Sequence, residues 1–364
     1  MSAPWLALAA GGTGGHMFPA EALAREMRER GWKILLLTDA RGMRFTDNFP
    51  ADEVVTLGAA NPNVRGAMAK VSAALTMAGG LITALKALRR HTPEMVVGFG
   101  GYPSAPGLFG ARAMGLPYGV HEQNAVLGRV KRNAAAGAKF VAHGFPRLDR
   151  LPMCKGEVIQ IGNPVRDAVR ALTGAPYPTP EPDGPLNILI FGGSQGASLF
   201  GRIFAPALAS LPEALRTRLK VVHQAADDIA DEVADIYRLA GIEAEIAPFF
   251  TDLPQRMVDA HYVVARAGGS SVTELSVIGR PALFIPLGIA MDDHQRANAE
   301  VLVEAGAADL LLEKDATPEA AAALLLPRLQ DMTGLAAAAE AARGRVPSDA
   351  TDRLGDLIEN LRRD

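Results

Sequence analysis

The strongest constraint on this 364-residue chain is a strand-length apolar run that feeds a glycine loop and then a helix, and the unit occurs twice. Trp5 to Ala10 runs into Gly11-Gly12-Thr13-Gly14-Gly15-His16, with a helical pattern from Pro19 to Arg30. Asn187 to Phe191 runs into Gly192-Gly193-Ser194-Gln195-Gly196-Ala197, again followed by an apolar helical segment. The two loops begin 181 residues apart, close to half the chain. A second pair keeps the same order: Met95 to Phe99 leads into Gly100-Gly101-Tyr102-Pro103-Ser104, and Tyr262 to Ala265 into Arg266-Ala267-Gly268-Gly269-Ser270-Ser271. Short strands alternating with helices predict parallel βαβ units, and glycine loops at strand ends predict ligand crevices. The expected fold class is α/β: two Rossmann-like domains, each a mostly parallel sheet flanked by helices.

The stretch Gly174 to Pro185 holds five prolines and two glycines, so it can be neither a regular helix nor a central strand. The switch between domains therefore lies between Gly162 and Pro185. Leu354, Ile358 and Leu361 recur at helical spacing after the possible caps Ser348 and Thr351, predicting a short amphipathic helix that returns to the first domain. The expected domains are 1–163 with 348–364, and 164–347.

With 37 Lys and Arg against 40 Asp and Glu, the net charge of −3 argues against a nucleic-acid binder that relies on bulk positive charge. The single cysteine, Cys154, excludes an internal disulfide framework and a cysteine-rich zinc site, and predicts a reducing compartment. Met1 to Ala10 lacks the pattern of a secretory signal. The longest uncharged apolar segment, between Lys70 and Lys86, is shorter than the roughly 20 residues of a membrane-spanning helix, so a soluble chain able to lie on a membrane is expected. His91, His143, His223 and His261 are scattered without metal-ligand spacing, and no metal site is expected.

A glycine loop that opens a helix presents free backbone N–H groups and the positive end of the helix dipole, and the missing side chains let a phosphate approach. The plainer alternative is a tight turn without a ligand. Neither first loop ends in the Lys-Ser/Thr of a nucleotide-hydrolase phosphate loop. Asp39 ends the apolar run Ile34 to Leu37 where a nicotinamide site would hold its ribose-binding acid, yet Met17 occupies the position of the third small residue. A dehydrogenase stays an alternative.

Taken together and in order, GGTGGH (11–16), GGYPSAP (100–106), HEQN (121–124), GNPVR (162–166), GGSQGA (192–197), RAGGSSVTE (266–274) and DDHQRANA (292–299) resemble the MurG family. These are the bacterial UDP-N-acetylglucosamine:lipid I transferases of peptidoglycan synthesis. The resemblance implies a GT-B arrangement, with the sugar nucleotide on the second domain and the lipid-linked acceptor on the first. It implies inverting transfer of N-acetylglucosamine to undecaprenyl-diphosphate-N-acetylmuramoyl-pentapeptide (lipid I), giving β-1,4-linked lipid II.

On the donor side, Ser194 with the neighbouring loop amides and Arg166 would hold the diphosphate, Gln195 belongs to the donor-binding set, and Gly268 and Gly269 open the loop before Glu274, a candidate for the ribose hydroxyls. Gln295 and Asn298 share a helical face, and the family's equivalents read the N-acetylglucosamine, while the backbone at Phe250 reads uracil. The plainer readings are a solvated Arg166, a surface Glu274 and a polar helix start at DDHQRAN, with Asp292-Asp293 a cap rather than a metal site. On the acceptor side the resemblance points to Thr13, Gly14, Gly15, His16, Tyr102 and Asn124. His16, with an ordinary pKa near 6.5, is the candidate general base. The alternatives are that it only binds the acceptor diphosphate or orients the loop, and Glu122 is the rival base; His121 is expected to be structural.

Leu75, Ile82 and Leu85 form an apolar helical stripe flanked by Lys70, Lys86, Arg89 and Arg90. The stripe either faces the core or, as the lipid acceptor implies, lies in an anionic leaflet on the cytoplasmic side of the inner membrane, a peripheral attachment. Implied partners are UDP-N-acetylglucosamine, lipid I, that membrane and other cell-wall synthesis proteins, without nucleic acid, cofactor or obligatory metal. Competing readings are a transferase for another lipid acceptor, a UDP-sugar epimerase and a non-catalytic nucleotide-binding regulator.

Overall fold

The computed structural model describes residues 3–60, 66–193 and 197–362. The first sheet holds β1 (Trp5–Ala10), β2 (Lys33–Thr38), β3 (Glu53–Thr56), β4 (Met95–Gly100), β5 (Tyr118–Glu122), β6 (Phe140–His143) and β7 (Glu157–Gln160). The second holds β8 (Leu186–Phe191), β9 (Leu219–Gln224), β10 (Glu243–Ala247), β11 (Tyr262–Ala265), β12 (Ala282–Phe284) and β13 (Ala308–Leu310). Every ladder among the described residues is parallel. Helices cover a parallel sheet on both faces, so its central strands read as unbroken apolar runs; Leu6 to Ala10, Ile34 to Leu37 and Val96 to Val97 are accordingly buried without alternation.

The strand orders are β3-β2-β1-β4-β5-β6-β7 and β10-β9-β8-β11-β12-β13. Counted from its own first strand each sheet contains the order 3-2-1-4-5-6, to which the first adds a seventh strand at its edge, so the repeat seen in the sequence is a repeat of topology. The order reverses between β1 and β4 and between β8 and β11, and it is from these four strands that the four glycine loops emerge. Ligands of open parallel sheets bind at such switch points. In the first sheet the β1–β4 register shifts between Ala9 and Ala10, where the two loops leave the ladder.

The chain divides into two compact units, Met1–Asp167 with Pro347–Asp364, and Ala168–Val346. Arg166, expected in the second domain, belongs to the first unit, with its guanidinium 5.1 Å over the Phe18 ring. The helix Ala350–Leu361 completes the first unit: Leu354 and Ile358 join the core of Leu6, Leu8 and Met27. Arg30 donates to Asp356 (2.7 Å) and Glu359 (3.0 Å), and the Trp32 indole N–H donates to Glu359 (3.2 Å). The expected caps are not used, since Asp349 precedes the first turn and Thr351 is buried within the helix.

Ala67–His91 is one helix of 25 residues. By length and composition alone it could cross a membrane, with a mean hydropathy of 1.5 over its most apolar window. Lys70 and Lys86 sit within the helix rather than bounding it. One face, formed by Ala73, Gly80, Ala84, Ala87 and Leu88, is buried. Gly80 lets the helix backbone meet the Gly58 carbonyl, where any Cβ would collide. Opposite, Met68 (88% exposed), Val71 (59%), Leu75 (69%) and Ile82 (55%) face outward, whereas Leu85 is half-buried.

Candidate active site

In the first unit the loop after β1 is clamped by Asp39. Its Oδ1 accepts the Gly12 (3.0 Å) and Gly42 (2.9 Å) amides, and its Oδ2 accepts Arg41 Nε (3.1 Å). A buried carboxylate occupied in this way shapes the loop, so the ribose-binding acid of the dehydrogenase alternative is not available at Asp39. The Thr13 carbonyl accepts the amides of His16 (3.1 Å) and Met17 (3.2 Å), and the helix Gly14–Glu29 starts at once, leaving Thr13, Gly14 and Gly15 at its amide-rich end. The two loops of this unit touch. Gly101, at φ +75°, abuts the Gly11 carbonyl, and Gly100, at φ +123°, lies under the His16 imidazole, where a Cβ would come within 2.8 Å of Nδ1. Only glycine combines that φ with that contact. Tyr102 follows on the same loop, half-buried.

The HEQN segment ends β5 beside these loops. Glu122 is 1% exposed, and both oxygens are occupied: Oε1 accepts the Asn124 backbone amide (3.0 Å) and Nδ2 (3.1 Å), while Oε2 accepts the Gly128 amide (2.8 Å) and pairs with Lys131 Nζ (2.9 Å). Burial pushes its pKa up, but Lys131 and the amides outweigh burial and hold it below the ordinary carboxylate range. These partners of Glu122, the expected rival base, hold the Asn124–Gly128 turn. Lys131, 3% exposed, also donates to the Phe99 carbonyl (3.0 Å), the His121 carbonyl (3.0 Å) and Gln123 Oε1 (3.1 Å), stapling the ends of β4 and β5. Gln123 Oε1 lies 3.3 Å from His16 Nδ1, and Gln123 Nε2 lies 3.2 Å from His121 Nδ1. His121 bonds the Gly162 carbonyl through Nε2 (2.9 Å), and burial lowers its pKa to about 4, as befits a structural histidine.

In the second unit Ser194 and Gln195 lie outside the described residues. Gly268 precedes the helix Gly269–Ile278, which follows β11, and Glu274 is buried within it. The loop before this helix is held by Asn298, a fully buried side chain whose Nδ2 donates to the Ala267 carbonyl (3.0 Å). Gln295 accepts the Leu287 amide (2.9 Å) through Oε1, leaving its amide group as the donor end. Asp292 and Asp293 take left-handed backbone (φ 59° and 56°), and Asp293 precedes the helix His294–Val303 without a side-chain cap bond. Phe250 is buried under the Arg256 guanidinium, 4.4 Å from its ring centroid.

The glycosyltransferase family 28 N-terminal domain matches residues 6–143, and the C-terminal domain of that family matches residues 187–354. A UDP-N-acetylglucosamine--N-acetylmuramyl-(pentapeptide) pyrophosphoryl-undecaprenol N-acetylglucosamine transferase of Methylobacterium sp. (strain 4-46) is 48% identical over 98% of this chain and 96% of its own. The transferase of the same description from Maricaulis maris (strain MCS10) is 45% identical over 97% and 96%. The crystal structure of Acinetobacter baumannii MurG superposes with a TM-score of 0.79 at 31% identity, covering 98% of this chain and 99% of that one. The chain belongs to the MurG family. A UDP-N-acetylglucosamine 2-epimerase structure, at 15% identity and a TM-score of 0.65, shares the fold alone.

For a MurG-family chain, the sequence left several site-shaping residues unseen. Lys131 lies in Arg129–Ala135, a basic stretch that reads as a solvated helix; its position one helical turn after Gly128 was the only hint. Arg266, the first residue of RAGGSS, is buried and donates to Glu313 (2.7 Å) and the Ile285 carbonyl (3.0 Å), while Glu313 also accepts the Gly288 amide (2.9 Å), tying the loops after β11 and β12 together. Arg280 is fully buried and donates to the Ile278 (3.0 Å) and Gly279 (2.9 Å) carbonyls, so the helix whose amino end carries Gly269 ends on a cation.

Proposed function

We propose that the chain transfers N-acetylglucosamine from UDP-N-acetylglucosamine to lipid I, releasing UDP and lipid II. The observation that carries this reading is 48% identity across nearly the whole length of a relative with that activity in its name. The acceptor belongs on the first unit, with its diphosphate at the amide-rich start of Gly14–Glu29, and the donor on the second, with its diphosphate at the start of Gly269–Ile278. The acceptor hydroxyl oxygen attacks the anomeric carbon, and its proton passes to His16. The bond from that carbon to the β-phosphate oxygen breaks with its electron pair on UDP, inverting the centre. Helix amides meet the growing charge, so no divalent metal is required. Labelled UDP-N-acetylglucosamine and a lipid I analogue, incubated with EDTA throughout, should give labelled lipid; label only in free sugar or in an epimer refutes the reading.

The outward face of Ala67–His91 supports a peripheral seat on the membrane that carries the acceptor. Met68, Val71, Leu75 and Ile82 recur at helical spacing with Lys70, Lys86, Arg89 and Arg90 exposed beside them, the pattern of a helix lying in an anionic interface. Leu75→Glu with Ile82→Glu should abolish sedimentation with phosphatidylglycerol vesicles while leaving transfer to a short-chain soluble acceptor intact. Undiminished sedimentation would count against this seat.

A further inference from the structure

The loops after β1 and β8 are held in the same way, each from the neighbouring strand. Gly12 and Gly193 stand 181 residues apart, the offset of the two loops, and both take left-handed backbone (φ +83° and +61°). The Gly12 amide donates to Asp39, which follows β2, and the Gly193 amide donates to Gln224 Oε1 (3.0 Å), at the end of β9. The two clamps differ in charge and in reach. Asp39 is a carboxylate whose charge is offset by Arg41, whereas Gln224 is neutral and uses its other end on a second segment: its Nε2 donates to the Pro248 carbonyl (3.0 Å). A backbone N–H can only donate and a carbonyl can only accept, so these two partners fix which way the Gln224 amide faces. Because β9 lies between β8 and β10, a side chain at its end reaches the segments that leave both neighbours.

We propose that Gln224 is a positioning residue for the sugar nucleotide, holding the loop after β8, at the diphosphate, against the segment after β10, at the base, so that both ends of UDP are gripped as one. The inference rests on the reading of the second unit as the donor half, in which the loop amides take the diphosphate and the Phe250 backbone reads uracil. Pro248, where Gln224 holds that segment, stands two residues before Phe250. Neutrality matters as much as reach. A carboxylate at this position, as in the first unit, would set a negative charge behind amides that have an anionic diphosphate to bind; the glutamine gives Gly193 the same acceptor without that charge. Gln224 is 8% exposed, but Gly193 and Pro248 are exposed, so water can take its place at both without stranding a buried polar group. Replacing it therefore loosens two segments rather than unfolding the unit.

Calorimetry with UDP and CDP, and transfer kinetics with UDP-N-acetylglucosamine and a lipid I analogue, test this. Gln224→Met, of similar length but with neither hydrogen-bonding group, should raise the UDP Kd and the donor KM about tenfold, the loss expected for one or two hydrogen bonds, and narrow the preference for UDP over CDP. Its kcat at saturating donor and its acceptor KM should stay at the wild-type level. Gln224→Glu keeps the acceptor at Gly193 and adds the charge; it should bind UDP more weakly than Gln224→Met at low salt, with the gap closing as ionic strength rises. Unchanged UDP affinity in Gln224→Met overturns the proposal, and so does an undiminished preference for UDP over CDP. A kcat that falls while the donor KM stays fixed also overturns it, since that is the mark of a partly misfolded preparation. Gln224→Glu that matches wild type on UDP overturns the role of neutrality. Wild-type protein that binds no UDP is a different result: it fails the donor reading itself and takes this inference with it, an outcome no Gln224 variant can imitate.

Discussion

Two charges buried side by side, Glu122 and Lys131, cost several kcal/mol each in desolvation, and such a pair persists only where every remaining donor and acceptor is occupied. Here the carboxylate has the Asn124 and Gly128 amides and the ammonium has two backbone carbonyls and Gln123, so the pair fixes the backbone around it. His121 beside them carries a pH consequence. Its folded-state pKa, lowered by burial to about 4, lies below the ordinary 6.5. Between those values the unfolded chain binds a proton that the folded chain refuses. Stability is therefore full above pH 6.5 and falls as the pH drops toward about 4, by about 3 kcal/mol from this residue. Urea unfolding of the wild type and of His121→Gln across pH 7 to 4 should show the variant losing markedly less; parallel curves would remove His121 as the cause.

Among the elements, the helix Ala67–His91 separates two adjacent glycines by their surroundings. Gly79 has open space where a side chain would go, so Gly79→Ala should stabilise by about 0.5–1 kcal/mol through helix propensity. Gly80 has the Gly58 carbonyl there, and Gly80→Ala should destabilise by about 1–3 kcal/mol as the helix is pushed off its seat. Paired thermal melts test both signs at once. In the sequence the two look alike, because the difference lies in a segment more than 20 residues away in the chain. The strands were legible for the opposite reason: a strand buried on both faces writes its environment into a local apolar run, as Ile34 to Leu37 does. The glycine loops were legible because phosphate chemistry and tight turns both demand glycine at fixed local positions. Lys131 was not, since it acts through the ends of β4 and β5 and looks, locally, like an ordinary surface residue; Asp39 stood out in the sequence, but its hold on the Gly12 amide did not, because that partner lies 27 residues away.

At the scale of the molecule, the repeated strand order makes two nucleotide-type folds from one chain, and the helix Ala350–Leu361 makes the first of them discontinuous in sequence. Ending the chain after Val346 removes Leu354 and Ile358 from a core in which both are fully buried, along with the Arg30 partners Asp356 and Glu359. Such a truncation should raise amide exchange in β1, β2 and β4 by orders of magnitude while β8, β9 and β11 keep their protection. Equal loss in both sheets would show that the helix is not specific to the first unit. The same discontinuity orders events during synthesis. A ribosome adds about 5–20 residues per second, so the first unit waits roughly 10–40 s for the second to be made before its closing helix exists. During that interval its unfinished core is exposed, and the half with the apolar outward helix is the half a chaperone would meet first.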